Sequence, residues 1–263
     1  MIKVLCAGDF HDSPELSKDR FRWFGNMIVE EKPDLVFCCG DFATFDSLNT
    51  HVKNDSLEGK LKPSFDEDMA SMKEALVELH KPLNEYNARQ RASKHKPFNP
   101  KFVITLGNHE DRARTYGQKN PEVGMKFHAE ICALLSGFGW EVIPYQHYWY
   151  LNEVAFNHAP VDASRKPMAG ANCSVNAATH LMHDLVHGHT HRAQVIRKPK
   201  MGENKYVTVV DLGCSLPYGY VEDYAKHGMT GWSWGFTVLH IDQRIESWNY
   251  INMKLVERDY ANA

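Results

Sequence analysis

Two imidazoles, His189 and His191, close the stretch Asp184-Leu-Val-His-Gly-His-Thr-His191, just past an apolar run that predicts a buried strand. Four earlier pieces add donors: Asp9-Phe10-His11, Gly40-Asp41, Gly107-Asn108-His109-Glu110 and His158. The first three each follow a predicted strand, and His158 closes one. Oxygens from Asp9, Asp41 and Asn108 together with the imidazoles of His11, His158, His189 and His191 suit a borderline divalent ion such as Mn, Fe, Zn or Ni. These donors are too many for one ion but fit two if one carboxylate bridges. Two ions ~3.5–4 Å apart can clamp a phosphoryl group and hold a hydroxide for in-line attack. His109 would then be left to meet the leaving oxygen. Any of these histidines alone would read as a structural residue; the ordered set does not.

The elements that must position these residues are legible around them. Ile2 to Ala7 and Asp34 to Cys39 read as buried strands flanking a helix from 14 to 31, which makes a βαβ unit with parallel strands. Ligand groups gather at the carboxyl ends of such strands, where Asp9, His11 and Asp41 lie. Residues 45 to 100 are too long for a plain connection and predict a helical insertion. Ser64-Phe-Asp-Glu67 has the form of a capping box, and Met69, Met72, Leu76, Leu79, Leu83 and Tyr86 follow at helical spacing. Pro82 should kink or split that helix.

Lys101 to Leu106 is a third strand delivering Asn108 and His109. A helix over about 122 to 136 leads to a strand at Trp140 to Ile143. Beyond it, a hairpin turns at Asn152, and further strands are read at 193–197, 206–211, 235–241 and 245–251. Residues 160–179 and 213–234 read as loops, and His180 and His183 as helix residues. The pattern predicts an α/β chain with two stacked sheets, the first mostly parallel and the second more mixed, in one domain spanning 1–263.

The net charge of -3 gives no global pull toward nucleic acid or anionic membrane. Fifteen histidines hint at metal. The six cysteines lack framework spacing and read as reduced core residues. The first strand runs straight into a motif, and no apolar run approaches the ~18–20 residues of a membrane span. A cytoplasmic protein is expected. Arg112, Arg114, Arg165 and Lys166 lie near motif loops, with Arg112 and Arg165 the candidates for a substrate phosphate. Tyr218, Tyr220, Tyr224, Trp232 and Trp234 could stack on a base.

Taken in order, Asp9-x-His11, Gly40-Asp41, Gly107-Asn108-His109-Glu110, His158 and Gly188-His189-x-His191 resemble the signature of the calcineurin-like metallophosphoesterase superfamily, from residue 2 to about 191. Asp211-Leu-Gly-Cys-Ser215 resembles the Gly-Ser turn after a late family strand. The form of the motifs looks like the small phosphodiesterase-type branch. The resemblance implies a four-layer αββα sandwich with a dinuclear site. In it, Asp9, His11, Asp41 and His191 would hold the first ion. Asp41, Asn108, His158 and His189 would hold the second, so Asp41 bridges, with His109 catalytic and manganese the favoured metal. One position departs from the pattern. Where many members place an aspartate that pairs with the catalytic histidine, this chain has Thr44, which leaves Asp46 as the acidic alternative or no acidic orienter.

The expected function is metal-dependent hydrolysis of phosphoesters, with diesters favoured over monoesters and a nucleotide or nucleic acid as the substrate type to consider. The alternatives are a DNA nuclease, a phosphomonoesterase and a non-catalytic binding scaffold. The helical insertion could pack on the parent domain, cap the substrate or form a homodimer contact.

Overall fold

A computed structural model describes the chain except residues 51, 53–55, 203–204, 223–224, 226–230 and 262–263. Tyr224, a candidate stacking residue, lies outside the described residues. Eleven strands are described, and they form two sheets. The first has the order β11-β10-β1-β2-β3-β4, with β1 (Ile2–Ala7), β2 (Leu35–Cys38), β3 (Lys101–Thr105) and β4 (Trp140–Ile143) all parallel. β10 (Gly235–Ile241) runs antiparallel to β1 and to the edge strand β11 (Ile245–Asn252). The second sheet has the order β5-β6-β7-β9-β8. Its parallel centre is β6 (Val154–Phe156), β7 (Asp184–His187) and β9 (Tyr206–Leu212). Antiparallel β5 (Trp149–Leu151) and β8 (Ala193–Pro199) close its edges.

Period-two alternation makes the sandwich. On β1, Leu5 and Ala7 point into a core shared with helices, while Val4 and Cys6 point into the core between the sheets. That inner core is Phe37, Val103, Val154, Phe156, Val186, Val210 and Leu239 with their neighbours. The outer helical layer comprises α1 (Asp19–Glu31), α3 (Phe65–Ala92), α4 (Asn108–Lys119), α5 (Lys126–Gly137) and α7 (Met253–Tyr260); α2 (Leu57–Lys60) is a single turn between α1 and α3. On the opposite side, α6 (Cys173–His180) packs Ala177 and Ala178 against Leu185, Val207 and Val209. The result is a four-layer αββα sandwich. Among the described residues, no helix is long and apolar enough to cross a membrane.

Several elements differ from their sequence expectation. The first helix starts at Asp19, not at residue 14, because Lys18 folds its ammonium back onto Asp12 and the Ser13 carbonyl and holds 14–18 in turns. The capping box at Ser64 and Glu67 is formed, but Pro82 does not split α3, which runs unbroken from Phe65 to Ala92. The proline ring is buried against α1, where Gly25 lets the helices touch: a Cβ there would meet Leu79 O at 2.3 Å and Pro82 Cδ at 2.9 Å. Met72, Leu76, Leu79 and Leu83 spend the apolar stripe of α3 on this core. The fifth helix starts at Lys126 rather than about 122, after a turn at 121–125. α6 falls within a stretch expected to be loop, and His183 sits before β7 outside any helix.

Candidate metal centre

The chain leaves β1, β2, β3, β6 and β7 at one end of the sandwich, and those exits carry Asp9 and His11, Asp41, Asn108 and His109, His158, and His189 and His191. Turning the backbone there requires left-handed conformations at four non-glycine residues: His11 (φ 46), Asp41 (φ 45), His189 (φ 71) and His191 (φ 58). Each costs on the order of 1–3 kcal/mol, and such strain gathers where function outweighs stability. Glu110 braces the Asp41 turn. Its buried carboxylate accepts backbone N–H groups from Asp41 (3.0 Å), Phe42 (2.8 Å), Ala43 (3.2 Å) and Gly107 (2.8 Å). Gly107 must be glycine, since a Cβ would lie 2.0 Å from Asp41 Oδ1.

Asp41 Oδ2 occupies the middle of the cluster, 3.3 Å from His158 Nε2 and 3.7 Å from His11 Nε2. On one side His11 Nε2 meets His191 Nε2 at 3.0 Å, with Asp9 in the same group. On the other, His158 Nε2 lies 3.0 Å from Asn108 Oδ1 and 3.2 Å from His189 Nδ1. All seven side chains expected to bind metal therefore converge. Two sets, Asp9/His11/His191 and Asp41/His158/His189, each place ligand atoms within 4.8 Å of one another. A third set pairs Asp9 and His158 with Cys39, but burial pushes the Cys39 thiol well up, so it stays protonated. On that side His158 Nδ1–H donates to the Cys39 carbonyl (2.8 Å), which aims Nε2 at Asp41 and Asn108.

The donor set fits a divalent metal. Nε2 of His11 and Nε2 of His191 face each other at 3.0 Å, so at most one carries a proton there, and both are placed as two ligands of one cation would be. The buried Nδ1 atoms of His11 and His191 have no hydrogen-bond partner among the described residues. Glu222 Oε1, unforeseen in the sequence, faces His11 Nδ1 at 3.4 Å. Charges in the cluster are unevenly spread. Burial pushes Asp9 up to about 7. Burial would also raise Asp41, but the neighbouring His158 and His109 hold it well below the usual carboxylate range. His158 goes the other way from its burial, drawn up to about 9 by Asp41 and Asp9. Burial lowers His189 to about 4 and takes His191 well below the ordinary imidazole value.

His109 stands at the rim. Its backbone N–H donates to Asp41 Oδ1 (2.8 Å), and its Nδ1–H donates to the Thr44 carbonyl (2.8 Å). A carbonyl can only accept, so the neutral ring carries its lone pair on Nε2, which lies 4.0 Å from Asp41 Oδ2 and 3.3 Å from Arg112 Nη2. The Thr44 position thus does orient the histidine, through its main chain. Asp46, the acidic alternative, instead pairs with Arg112 Nη1 at 3.3 Å. Arg112 also donates to the Thr44 carbonyl at 2.7 Å. Burial, with the cation of Arg112 adding to it, keeps His109 well below the ordinary imidazole range.

Of the remaining candidates, Arg112 reaches the cluster. Arg165 sits in an exposed turn with its N–H on Asp162 O (2.9 Å), Lys166 bonds the same turn, and Arg114 pairs with Asp111 at 2.6 Å. Trp232 packs edge-on against His191, ring centres 4.2 Å apart. Tyr218 packs on Trp234, whose indole N–H donates to the Tyr220 carbonyl. The helical segment touches the site through Ser71, whose hydroxyl donates to Asp12, the residue after His11 (2.7 Å).

A family model described as calcineurin-like phosphoesterase matches residues 2–193. Curated proteins give no match. Similar solved structures include Vps29 from Entamoeba histolytica complexed with zinc, 12% identical, covering 95% of this chain and 99% of that one at a TM-score of 0.38. YfcE, a phosphoesterase from E. coli, is 17% identical over 95% of this chain and 100% of its own, at a TM-score of 0.37. Vps29 from Chaetomium thermophilum is 10% identical over 92% and 86%, at a TM-score of 0.42.

Proposed function

This chain belongs to the calcineurin-like phosphoesterase family, and we propose that it hydrolyses phosphodiesters at a centre of two divalent ions, with manganese favoured. The observation that carries this reading is the convergence of six other side-chain donors around Asp41 Oδ2, which lies between two ligand groups. In this reading, Asp9, His11, Asp41 and His191 hold one ion, and Asp41, Asn108, His158 and His189 hold the other. Bound there, the ions would supply Lewis-acid polarisation of the phosphoryl group and lower the pKa of water.

The chain's own residues supply the rest. His109 is fixed at both ends, by Asp41 through its N–H and by Thr44 through its Nδ1–H, so its Nε2 is aimed and does not rotate. With its proton on Nδ1, the neutral ring offers Nε2 as an acceptor, so it would take up a proton at Nε2 before passing one to a leaving oxygen. Arg112 Nη2, beside that nitrogen, is placed to take a phosphoryl oxygen. Among the described side chains, Arg112 is the one cation in contact with His109, and Asp46 already answers part of its charge. That balance suits the single negative charge of a diester better than a monoester dianion.

The test is initial rates on bis(p-nitrophenyl) phosphate and p-nitrophenyl phosphate with manganese-loaded protein, beside Asn108→Ala and His109→Ala. Faster diester turnover, abolished by Asn108→Ala and reduced ~10²–10⁴-fold by His109→Ala, is the expected result. Faster monoester turnover would make this a phosphatase. Inertness on both, with metal bound, would make it a binding scaffold.

A further inference from the structure

Beside Asn108, on the side where Arg112 faces His109, the surface drops into a pocket of about 220 Å³ lined by Leu48, Thr50, Asn108, Arg112, Thr115 and Tyr116. At ~30 Å³ per water this is space for about seven waters, enough for one ring and too little for a run of stacked bases. Asn108 joins pocket and centre, since it lines the one while its Oδ1 lies 3.0 Å from His158 Nε2 in the other. Thr115 and Tyr116 follow Arg112 by three and four residues on α4, so all three share a helix face. Thr50 completes the wall from the opposite loop.

The lining is chemically selective. Two threonines, a tyrosine and a leucine surround one guanidinium, the Thr115 hydroxyl donates to Asp111 Oδ2 at 3.5 Å, and the guanidinium is already paired with Asp46 at 3.3 Å. No carboxylate lines the pocket. A group bound there needs no charge of its own, gains from a planar or ring-shaped apolar face, and can use hydroxyls as acceptors or donors.

Resting on the phosphoesterase reading above, we propose that this pocket receives the alcohol portion of the substrate and selects a compact, uncharged ring of aryl or sugar size. Thr50, Thr115 and Tyr116 are then specificity-determining residues. The ester would lie with its phosphoryl group at the centre and its organic group beyond Asn108, with Arg112 and His109 at the bond between them. A small-molecule phosphoester fits this arrangement, and an internal phosphate of a duplex does not.

Binding of non-hydrolysable phosphonates separates this proposal from the activity itself. The affinities of phenylphosphonate and methylphosphonate would be measured by calorimetry on the manganese-loaded protein and on two pocket-filling variants, Thr115→Trp on α4 and Thr50→Trp at the exposed rim. Burying the phenyl ring should favour phenylphosphonate by about tenfold or more in the native protein, and either tryptophan should collapse that preference. Two variants are used because one on the helix face could fail to fold. Equal affinities in the native protein, or a phenyl preference that survives in both variants, would overturn the pocket assignment and leave the phosphoesterase reading standing. Binding of neither phosphonate would overturn both.

Discussion

The turn from His187 to His191 feeds two buried clusters of histidine and carboxylate, and they are built on opposite principles. In one, His187 Nδ1–H donates to the Gly188 carbonyl at 2.8 Å while its Nε2 meets Ser174 Oγ at 3.0 Å. Gln194 donates to the same serine oxygen at 3.1 Å, and Asp211 takes the Thr190 hydroxyl. Each donor there has an acceptor, which is what a buried polar network must achieve to be stable. In the other, ring nitrogens of His11, His158, His189 and His191 face one another and Asp41, two buried Nδ1 atoms have no hydrogen-bond partner among the described residues, and four backbone positions are held left-handed. Closed and open clusters share one five-residue turn. The closed one reads as the anchor that fixes Thr190, so that its neighbours His189 and His191 project into the open one.

The sharpest way to break this contrast is to remove the central carboxylate oxygen. Asp41→Asn should cost more than the ~10–100-fold that loss of an outer partner typically causes, with at least one ion lost per chain by elemental analysis. Asp211→Asn tests the anchor. It should weaken metal binding by ~10–100-fold, while hydrolysis recovers at saturating metal because no proposed ligand has been touched. Equal losses from the two variants would erase the distinction between the clusters.

A buried imidazole outside both clusters gives the smallest effect on the site. His80 on α3 accepts the Trp140 indole N–H at 3.0 Å, and burial lowers it to about 4. Between that value and ~6.5, the ordinary histidine pKa, the unfolded chain binds more protons than the folded one. Stability therefore rises with pH through this window and is lost as pH falls through it, by about 2 kcal/mol from pH 7 to pH 5. Urea midpoints should show this slope in the native protein and a flatter one in His80→Gln, with hydrolysis at pH 7 unchanged. A steeper slope in the variant would contradict the assignment.

Much of this was legible in the sequence because strands with a two-residue period end in punctuated motifs, which fixed where Asp9, Asp41, Asn108, His158 and His189 emerge. What escaped it has physical reasons. α4 carries almost no apolar periodicity over Asn108–Lys119 and is started by the Glu110 cap back to Gly107. α6 begins within a glycine- and asparagine-rich stretch and gains its stability from tertiary packing of Ala177 and Ala178. The partner of His109 is a backbone carbonyl, and a main-chain group leaves no mark in residue identity; a search for acids could find only Asp46. Glu222 approaches His11 from a segment of loop composition, across more than two hundred residues of chain, with no local signal.

The most direct test of the open cluster is a manganese titration of metal-stripped protein, read as ions bound per chain by calorimetry and elemental analysis. The proposed two-ion reading predicts two ions per chain in the native protein. Absence of stoichiometric uptake, or uptake unchanged when His11 and His158 are both replaced by alanine, would contradict the assignment of these residues to a metal centre.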